Sequence, residues 1–146
     1  MKVVIDTSVV MSAIMSKHGR VADVLLSPSL GFERHSCYFM PVEIFKHKAK
    51  LLHYSKLDEP SLLDSVYTTL RRIELINESL IGPANWSVAD ELTKGVDHKD
   101  VSFVALSLHL DATLWTLDKK LTKHLIEMGF GQVVNTQGLV TLLAAN

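Results

Sequence analysis

The first ten residues constrain the fold most, because a short apolar run there stops at an acid. Lys2–Ile5 is β-branched and apolar, which suits a central strand buried on both faces of a parallel sheet. Asp6 follows at the point where such a strand leaves the core, ahead of the hydroxyls of Thr7 and Ser8 and a helix predicted over 9–15. Open α/β sheets bind ligands at this carboxyl edge. An Asx turn, in which Asp6 accepts hydrogen bonds from the following amides, explains the same position.

Size and composition favour a single folded domain. The chain has 146 residues, 47% of them hydrophobic and 21% charged. A chain of that length can bury enough surface to fold without disulfide or metal staples, so we expect one domain over residues 1–146. The single cysteine, Cys37, excludes an internal disulfide framework and fits a reducing compartment. A cytoplasmic location is therefore expected.

Neither end of the chain is expected to enter a membrane. Asp6 interrupts the apolar N-terminal run and no small-residue cleavage pattern follows, so the run does not resemble a signal peptide. Residues 128–146 carry no charge, but polar residues and three glycines break that stretch. The formal net charge of −1 gives no overall attraction for nucleic acid, so phosphate binding would need a local basic patch.

Candidate strands and helices alternate along the rest of the chain. Strands are predicted over 36–40, 73–77, 112–116 and 132–135, and helices over 20–26, 41–53, 58–72, 86–94, 101–110, 119–128 and 138–144. Pro41 suits the first position of its helix, and Asn85 suits the cap of another. The alternation predicts a three-layer α/β/α sandwich around a central, mostly parallel sheet of four to five strands.

Hydrophobic spacing predicts the buried faces of three helices. The residues expected to point inward are Val42, Phe45, Ala49, Leu52, Leu62, Leu63, Val66, Leu70, Leu121, Leu125 and Met128. The opposite face of the helix 41–53 carries Glu43 in one row with Lys46, His47 and Lys50.

Four acids recur at equivalent places in this pattern. Asp6 follows the first strand, Glu43 lies in the first turn after the second, and Asp118 follows the fourth. Asp100 opens the helix 101–110, which is apolar nearly all round. Because strand ends and helix starts share one edge of a parallel sheet, the four carboxylates can meet there.

Each of these acids also has a structural explanation. Asp118 suits an N-cap, Glu43 suits a first-turn acid that favours the helix dipole, and Asp97-x-x-Asp100 suits a variant capping box. These explanations account for the positions one at a time. They do not explain why an acid opens an almost wholly apolar helix that leads directly to another strand-end acid.

Three segments taken together resemble the PIN-domain family of nucleases, which includes VapC-like toxin ribonucleases. They are I-D-T-S-V from Ile5, P-V-E-I-F from Pro41, and D-x-x-D-V-x-F-V-A-L-S-L from Asp97 with the following L-W-T-L-D-K-K-L. The resemblance covers essentially the whole chain. It implies a metal-dependent endoribonuclease that hydrolyses single-stranded RNA, either as a toxin inhibited by a small antitoxin protein or as a housekeeping factor. It also implies a homodimer.

The resemblance assigns roles to particular residues of this chain. Its four metal-binding and catalytic acids correspond to Asp6, Glu43, Asp100 and Asp118, and Asp97 matches an acid that some members place just ahead of the third. Thr116 matches a hydroxyl often found two residues before the last acid, and Thr7 is a further supporting residue. Ser8 stands where the family commonly has Asn.

Mg²⁺ or Mn²⁺ is the cofactor that such a cluster suits. Hard divalent ions prefer oxygen ligands and keep several waters, so a few carboxylates together with a substrate phosphate can hold one ion or two. In a two-metal arrangement the ions stabilise both the attacking water and the leaving oxygen. Glu43 is expected to act as a ligand or as a base that orients the water.

Basic residues near the acidic edge are candidates for RNA binding. They are Lys46, Lys50, Arg20, Lys119, Lys120 and Lys123. Ordinary solvated charges explain these residues as well. The seven histidines show no zinc-site spacing and are expected at the surface or at helix ends. Trp86 and Trp115 are expected in the core rather than as platforms for base stacking.

Other functional classes remain open at this level. One is a PIN-like module that binds nucleic acid or protein without cutting, although the presence of all four acids argues against it. A phosphatase of the haloacid-dehalogenase type would need a second aspartate at position 8, where Ser8 stands. A nucleotide-binding switch would need a glycine-rich phosphate loop, which the chain lacks.

Overall fold

A parallel sheet of five strands runs through the computed structural model, which describes the whole chain from Met1 to Asn146. The strands are β1 (Lys2–Ile5), β2 (Glu33–Cys37), β3 (Glu74–Ile76), β4 (Thr113–Trp115) and β5 (Val133–Val134). Their order is β3-β2-β1-β4-β5, and every neighbouring pair is parallel. The predicted α/β class and sheet are thus confirmed, with β1 in the centre.

Nine α-helices surround the sheet. They are α1 (Thr7–Met15), α2 (Arg20–Leu26), α3 (Phe39–Lys46), α4 (Lys48–Ser55), α5 (Glu59–Leu70), α6 (Pro83–Leu92), α7 (Val101–Leu110), α8 (Lys119–Glu127) and α9 (Thr136–Ala145). Short 3-10 helices span Glu78–Leu80 and His98–Asp100. The apolar helix α7 packs on β1, β2 and β4 with α6 against it, whereas α1 contacts α2, α3, α4 and α5. None of the helices has the length and apolar character that crossing a membrane would require.

The central strand and α7 form the middle of the core. Val3, Val4 and Ile5 have no exposed surface, as expected for a strand covered on both faces. Phe103 and Leu106 of α7 are likewise buried. Because both elements end or begin at the same edge of the sheet, this packing fixes the positions of the residues that flank them there.

The second strand and the following helix differ from the prediction. β2 spans Glu33–Cys37 rather than 36–40, and α3 begins at Phe39 rather than at Pro41. Pro41 is the third residue of α3, where its missing amide still costs no intrahelical bond. A turn at His47 also interrupts the helix, so the segment predicted as one helix over 41–53 forms two helices. Glu43 therefore lies beyond the first turn of α3.

The shifted start and the break change the buried face of this segment. Met40, Ile44 and Leu51 are buried, whereas Val42 and Phe45 are exposed, the latter to 74%. The prediction for Val42 and Phe45 was wrong because the spacing was counted from Pro41 through a single helix. Ala49, Leu63 and Met128, also expected to point inward, are exposed as well.

Three smaller predictions were also wrong. α6 begins at Pro83 and is capped at Gly82, so Asn85 lies inside the helix. His35, expected at the surface, is buried in β2. Trp115 is fully buried as predicted, but Trp86 is only partly buried and lines a cavity.

Candidate active site at the carboxyl edge of the sheet

Asp6 is held at the edge of the sheet by the neighbouring strand. The register pairs Ile5 with Trp115, so Asp6 and Thr116 are neighbours just beyond β1 and β4. The Thr116 hydroxyl donates to Asp6 Oδ2 at 2.6 Å, and the Ser8 hydroxyl donates to the same oxygen at 2.7 Å. Asp6 makes no side-chain capping bond to α1. The Asx-turn explanation therefore does not account for this carboxylate.

Glu43 reaches the same edge from helix α3. The Thr7 hydroxyl, at the start of α1, donates to Glu43 Oε1 at 2.7 Å. Both side chains are buried, with Glu43 only 7% exposed. A buried carboxylate needs a hydrogen-bond partner, and Thr7 supplies it from the residue next to Asp6. The N-terminal D-T-S segment thus contains one of the four acids, Asp6, and contacts a second, Glu43, as well as Thr116.

Asp97 and Asp100 have different partners although they belong to one segment. Asp97 Oδ1 accepts the Lys99 amide at 3.0 Å and caps the 3-10 helix His98–Asp100. Asp100 makes no side-chain capping bond to α7 and is partly buried. The reciprocal contact of a capping box is absent, so that explanation of the pair is wrong. Asp100 is left without a local structural role.

Asp118 does act as an N-cap, as its structural explanation predicted. Its Oδ1 accepts the Leu121 amide at 3.0 Å at the start of α8, and the side chain is exposed. Its own amide donates to Thr116 Oγ1 at 3.1 Å. Thr116 therefore joins Asp6 to Asp118, and a cap bond through one oxygen leaves the other oxygen of Asp118 available to a ligand.

The acids at this edge interact electrostatically. Burial raises the pKa of Asp100 to about 7, with further contributions from the negative charges of Asp6 and Asp118. Burial also raises the pKa of Asp6, although the hydroxyls of Thr116 and Ser8 act against the increase. The pKa of Glu43 is raised chiefly by burial too, despite the Thr7 hydrogen bond. Carboxylates that disfavour one another's ionisation lie close together.

The donor set fits a hard divalent cation in its chemistry. All four side chains offer carboxylate oxygens, and the hydroxyls that bind Asp6 and Glu43 each occupy a single oxygen, Oδ2 and Oε1. In the present side-chain positions no three Asp, Glu, His or Cys residues form a ready metal-holding group. Side-chain rotation on fixed strand and helix ends would be needed to bring the free oxygens together. A cation would in turn balance the repulsion described above.

The predicted basic residues have different surroundings. Lys46 Nζ lies 5.1 Å from the centre of the Phe39 ring, and Arg20 Nη2 donates to Gln137 Oε1 at 2.6 Å. Lys119 and Lys123 line a cavity of about 470 Å³ that also includes Thr116. Lys50 and Lys120 are exposed. Because the helix breaks at His47, Lys50 is not in one helical row with Glu43.

A cavity lined by Lys99 and Val101, the chain neighbours of Asp100, was not predicted from the sequence. It has a volume of about 470 Å³ and is lined by aromatic, acidic and basic side chains, among them Phe39, Glu78, Trp86, Asp90 and Lys99. Trp86 was expected in the core together with Trp115, which lies inside a buried strand. The polar neighbours of Trp86, Asn85 and Ser87, were a signal against that assignment.

Comparison with known proteins agrees with this architecture. A sequence model described as a PIN domain matches residues 4–136 of the chain. No curated protein matches.

Three solved structures are similar to the chain. VapBC2 from Rickettsia felis bound to a DNA fragment from their promoter is 15% identical with a TM-score of 0.68, covering 92% of this chain and 98% of that chain. PAE2754 from Pyrobaculum aerophilum is 14% identical with a TM-score of 0.69, covering 100% and 91%. VapBC-1 from nontypeable Haemophilus influenzae is 11% identical with a TM-score of 0.63, covering 94% and 99%. At such low identities the likeness shows the fold alone.

Proposed function

Because the chain belongs to the PIN domain family, we propose that it is a metal-dependent endoribonuclease that hydrolyses phosphodiester bonds of single-stranded RNA. One observation carries the proposal. Asp100 is a partly buried carboxylate without a capping role, and its pKa is raised by burial and by the charges of the other acids. A cluster of carboxylates that repel one another destabilises the fold. Its place at the sheet edge where α/β proteins bind ligands therefore indicates a functional role.

Asp6, Asp100, Asp118 and Glu43 are the residues that would hold Mg²⁺ or Mn²⁺. When bound, such ions activate a water and balance charge on the leaving oxygen. Thr116 and Ser8 fix the orientation of Asp6 through Oδ2, which leaves Oδ1 without a bond from either hydroxyl. Asp97 is left outside the set because both of its oxygens have partners, Oδ1 in the Lys99 amide and Oδ2 in the Lys99 ammonium at 3.5 Å.

Glu43 is suited to orient or deprotonate the attacking water. Burial raises the pKa of its carboxyl group, which makes the ionised form a better proton acceptor. Its bond from Thr7 occupies Oε1 and leaves Oε2 for a water. The same bond holds the side chain still, which favours a defined direction of attack.

A chelation experiment tests the proposed chemistry. The purified protein should cleave single-stranded RNA with Mg²⁺ or Mn²⁺ and stop when EDTA is added, and Asp6→Asn should remove the activity. Cleavage that persists in a thoroughly chelated sample, or in the Asp6→Asn variant, contradicts the proposal. Metal-dependent RNA binding without any cleavage would favour a non-cutting PIN-like module instead.

The RNA strand would cross the acidic edge between the two cavities. Lys46 lies beside one cavity and Lys119 with Lys123 beside the other. Replacing Lys46 and Lys50 by Glu should weaken RNA binding and flatten its salt dependence, because lysine–phosphate contacts release counterions. Unchanged affinity across a salt series would mean that the strand takes another path.

Exposed apolar side chains favour a protein partner, which we propose to be either a small antitoxin protein or a second copy of the chain. Val42, Phe45, Tyr54, Leu63 and Tyr67 are all exposed on three consecutive helices, α3, α4 and α5, and clustered exposed apolar groups commonly mark an interaction site. Two of the similar structures are VapBC assemblies.

Light scattering distinguishes the two candidate partners. A homodimer of the 16.3 kDa chain would have twice that mass, and Phe45→Ser should dissociate it. A monomeric parent would exclude the homodimer.

A further inference from the structure

The cavity beside Asp100 combines features that a nucleobase requires. Phe39 at the start of α3 and Trp86 on α6 supply aromatic surface, and both side chains are partly exposed. The cavity volume of about 470 Å³ lies within the usual range for small ligands, which is roughly 300–1,000 Å³. Bases of single-stranded RNA are commonly stacked on such aromatic side chains.

Two of the polar residues of the cavity are acids. Glu78 and Asp90 contribute carboxylates. The Tyr38 amide donates to Glu78 Oε1 at 2.9 Å, so this carboxylate is oriented while its second oxygen accepts no hydrogen bond. Glu78 is also partly buried, and a fixed, partly desolvated acceptor discriminates more strongly than a mobile surface acid.

Positive charge borders the cavity on the sides that lead to the acidic edge. Lys99 lines it and is near enough to Glu43 to act on the pKa of that carboxyl group. Lys46 lies over the Phe39 ring. A base in the cavity would therefore have its sugar and phosphate beside these ammonium groups and close to the proposed metal-binding acids.

We propose that this cavity binds guanine and so selects the RNA that is cut, an inference that rests on the proposed ribonuclease function. Guanine is the only standard base with a ring N–H and an amino group side by side, and a carboxylate accepts from both. Adenine and cytosine place an unprotonated ring nitrogen beside the amino group, and uracil places carbonyls beside its N–H. Those acceptors repel a carboxylate. Ser102, which lines the cavity, can donate to guanine O6.

Nucleotide binding tests the proposal without metal or cleavage. GMP, AMP, CMP and UMP share the same ribose phosphate, so differences in affinity come from the base. Binding can be followed by tryptophan fluorescence, because Trp115 is fully buried and donates to Thr136, whereas Trp86 borders the cavity. GMP should change the emission and bind at least about tenfold more tightly than AMP.

A conservative variant tests the assigned carboxylate. In Glu78→Gln the amide oxygen can still accept the Tyr38 N–H, but the other oxygen becomes an NH₂ donor that opposes the guanine edge. The preference for GMP should disappear. Glu91→Gln is the matched control, since Glu91 is on α6 outside the cavity and pairs with Lys94, and it should bind GMP as the parent does.

The two proposals fail in different ways. Equal binding of all four nucleotides, or a retained GMP preference in Glu78→Gln, overturns the guanine site and leaves metal-dependent cleavage unaffected. GMP binding without metal-dependent cleavage would instead overturn the ribonuclease proposal. If both hold, RNA without guanine should be cut more slowly by the parent protein, and Glu78→Gln should remove that difference.

Discussion

Two regions of the molecule carry acids of the same types in opposite electrostatic conditions. At the carboxyl edge of the sheet, burial raises the pKa of Asp6, Glu43 and Asp100. At surface helix starts, hydrogen bonds from Ser61 and Lys99 hold the pKa of Asp58 and Asp97 below the usual value. The surface acids stabilise their helices, whereas the edge acids lack enough partners to favour their charged forms. Only the edge acids, whose charged forms are disfavoured, make a cation a favourable ligand.

Asp97 and Asp100 are three positions apart in the chain, yet the pKa of the first is lowered and that of the second is raised. Asp97 accepts a backbone amide and lies next to the Lys99 ammonium at 3.5 Å. Asp100 turns toward the other edge acids and has its pKa raised to about 7. The chemical role of a carboxylate therefore follows from its surroundings and not from its place in a motif.

The largest expected effect separates the two regions by activity. Glu43→Gln should reduce RNA cleavage by more than about 100-fold, since even residues that only support a metal ligand typically contribute about 10–100-fold. Asp58→Asn should leave the cleavage rate unchanged because Asp58 caps α5 at the surface. Rates measured at saturating Mn²⁺ compare the two variants. Similar losses of cleavage activity in both variants would contradict the functional difference between the edge acids and the surface acids.

Asp100→Asn is expected to have the next largest effect, on stabilisation by metal. A ligand present at about 100 times its dissociation constant stabilises the native state by about 2.7 kcal/mol, and most of that gain from Mn²⁺ should be lost. The metal-free variant should melt at the same temperature as the parent or higher, because a repelled charge is gone. Thermal melts with Mn²⁺ and with EDTA measure both. A variant that melts lower by the same amount in both conditions would support a purely structural role.

The pH dependence of stability should have opposite signs in the two regions. Acids with a raised pKa keep their protons longer in the folded state, so the metal-free protein should lose stability as pH rises from about 4, the ordinary pKa of an aspartate, to the Asp100 pKa of about 7. Asp100→Asn should flatten that slope. Asp58 and Asp97 stabilise when ionised, so their contribution is lost as pH falls into the acidic range. Urea unfolding in EDTA across this pH range checks the sign, and an unchanged slope in the variant would contradict it.

The smallest expected effect is that of Asp97→Ala. Loss of its capping bond to the Lys99 amide should cost about 0.5–2 kcal/mol of stability, by the same amount with and without Mn²⁺. Cleavage should remain close to that of the parent. A loss of metal stabilisation comparable with that of Asp100→Asn would return Asp97 to the metal-binding set.

Local patterns predicted the parts of the fold that depend on short-range chemistry. The run Lys2–Ile5 and the apolar helix Val101–Leu110 have the predicted bounds, because the first run is short and β-branched, as buried strands are, and the second has the length of a buried helix. An N-cap was the alternative explanation of Asp118 beside the predicted metal-binding role, and its side chain does cap α8. The segment after β2 was mispredicted because S-C-Y-F-M is apolar enough for a strand, whereas burial of Met40 and Ile44 four residues apart favours an earlier helix.

The sequence by itself determined the parallel α/β arrangement and the four acids that follow its strands or open its helices, since alternation of elements requires strand ends to share an edge. Tertiary structure alone decided that Thr116 and Ser8 would share one oxygen of Asp6, and that Phe45 would face outward. It also decided that the pKa of Asp97 would be lowered and that of Asp100 raised. These outcomes depend on contacts between residues as far apart as Asp6 and Thr116, and burial and Coulomb interactions act through space, so no local pattern encodes them.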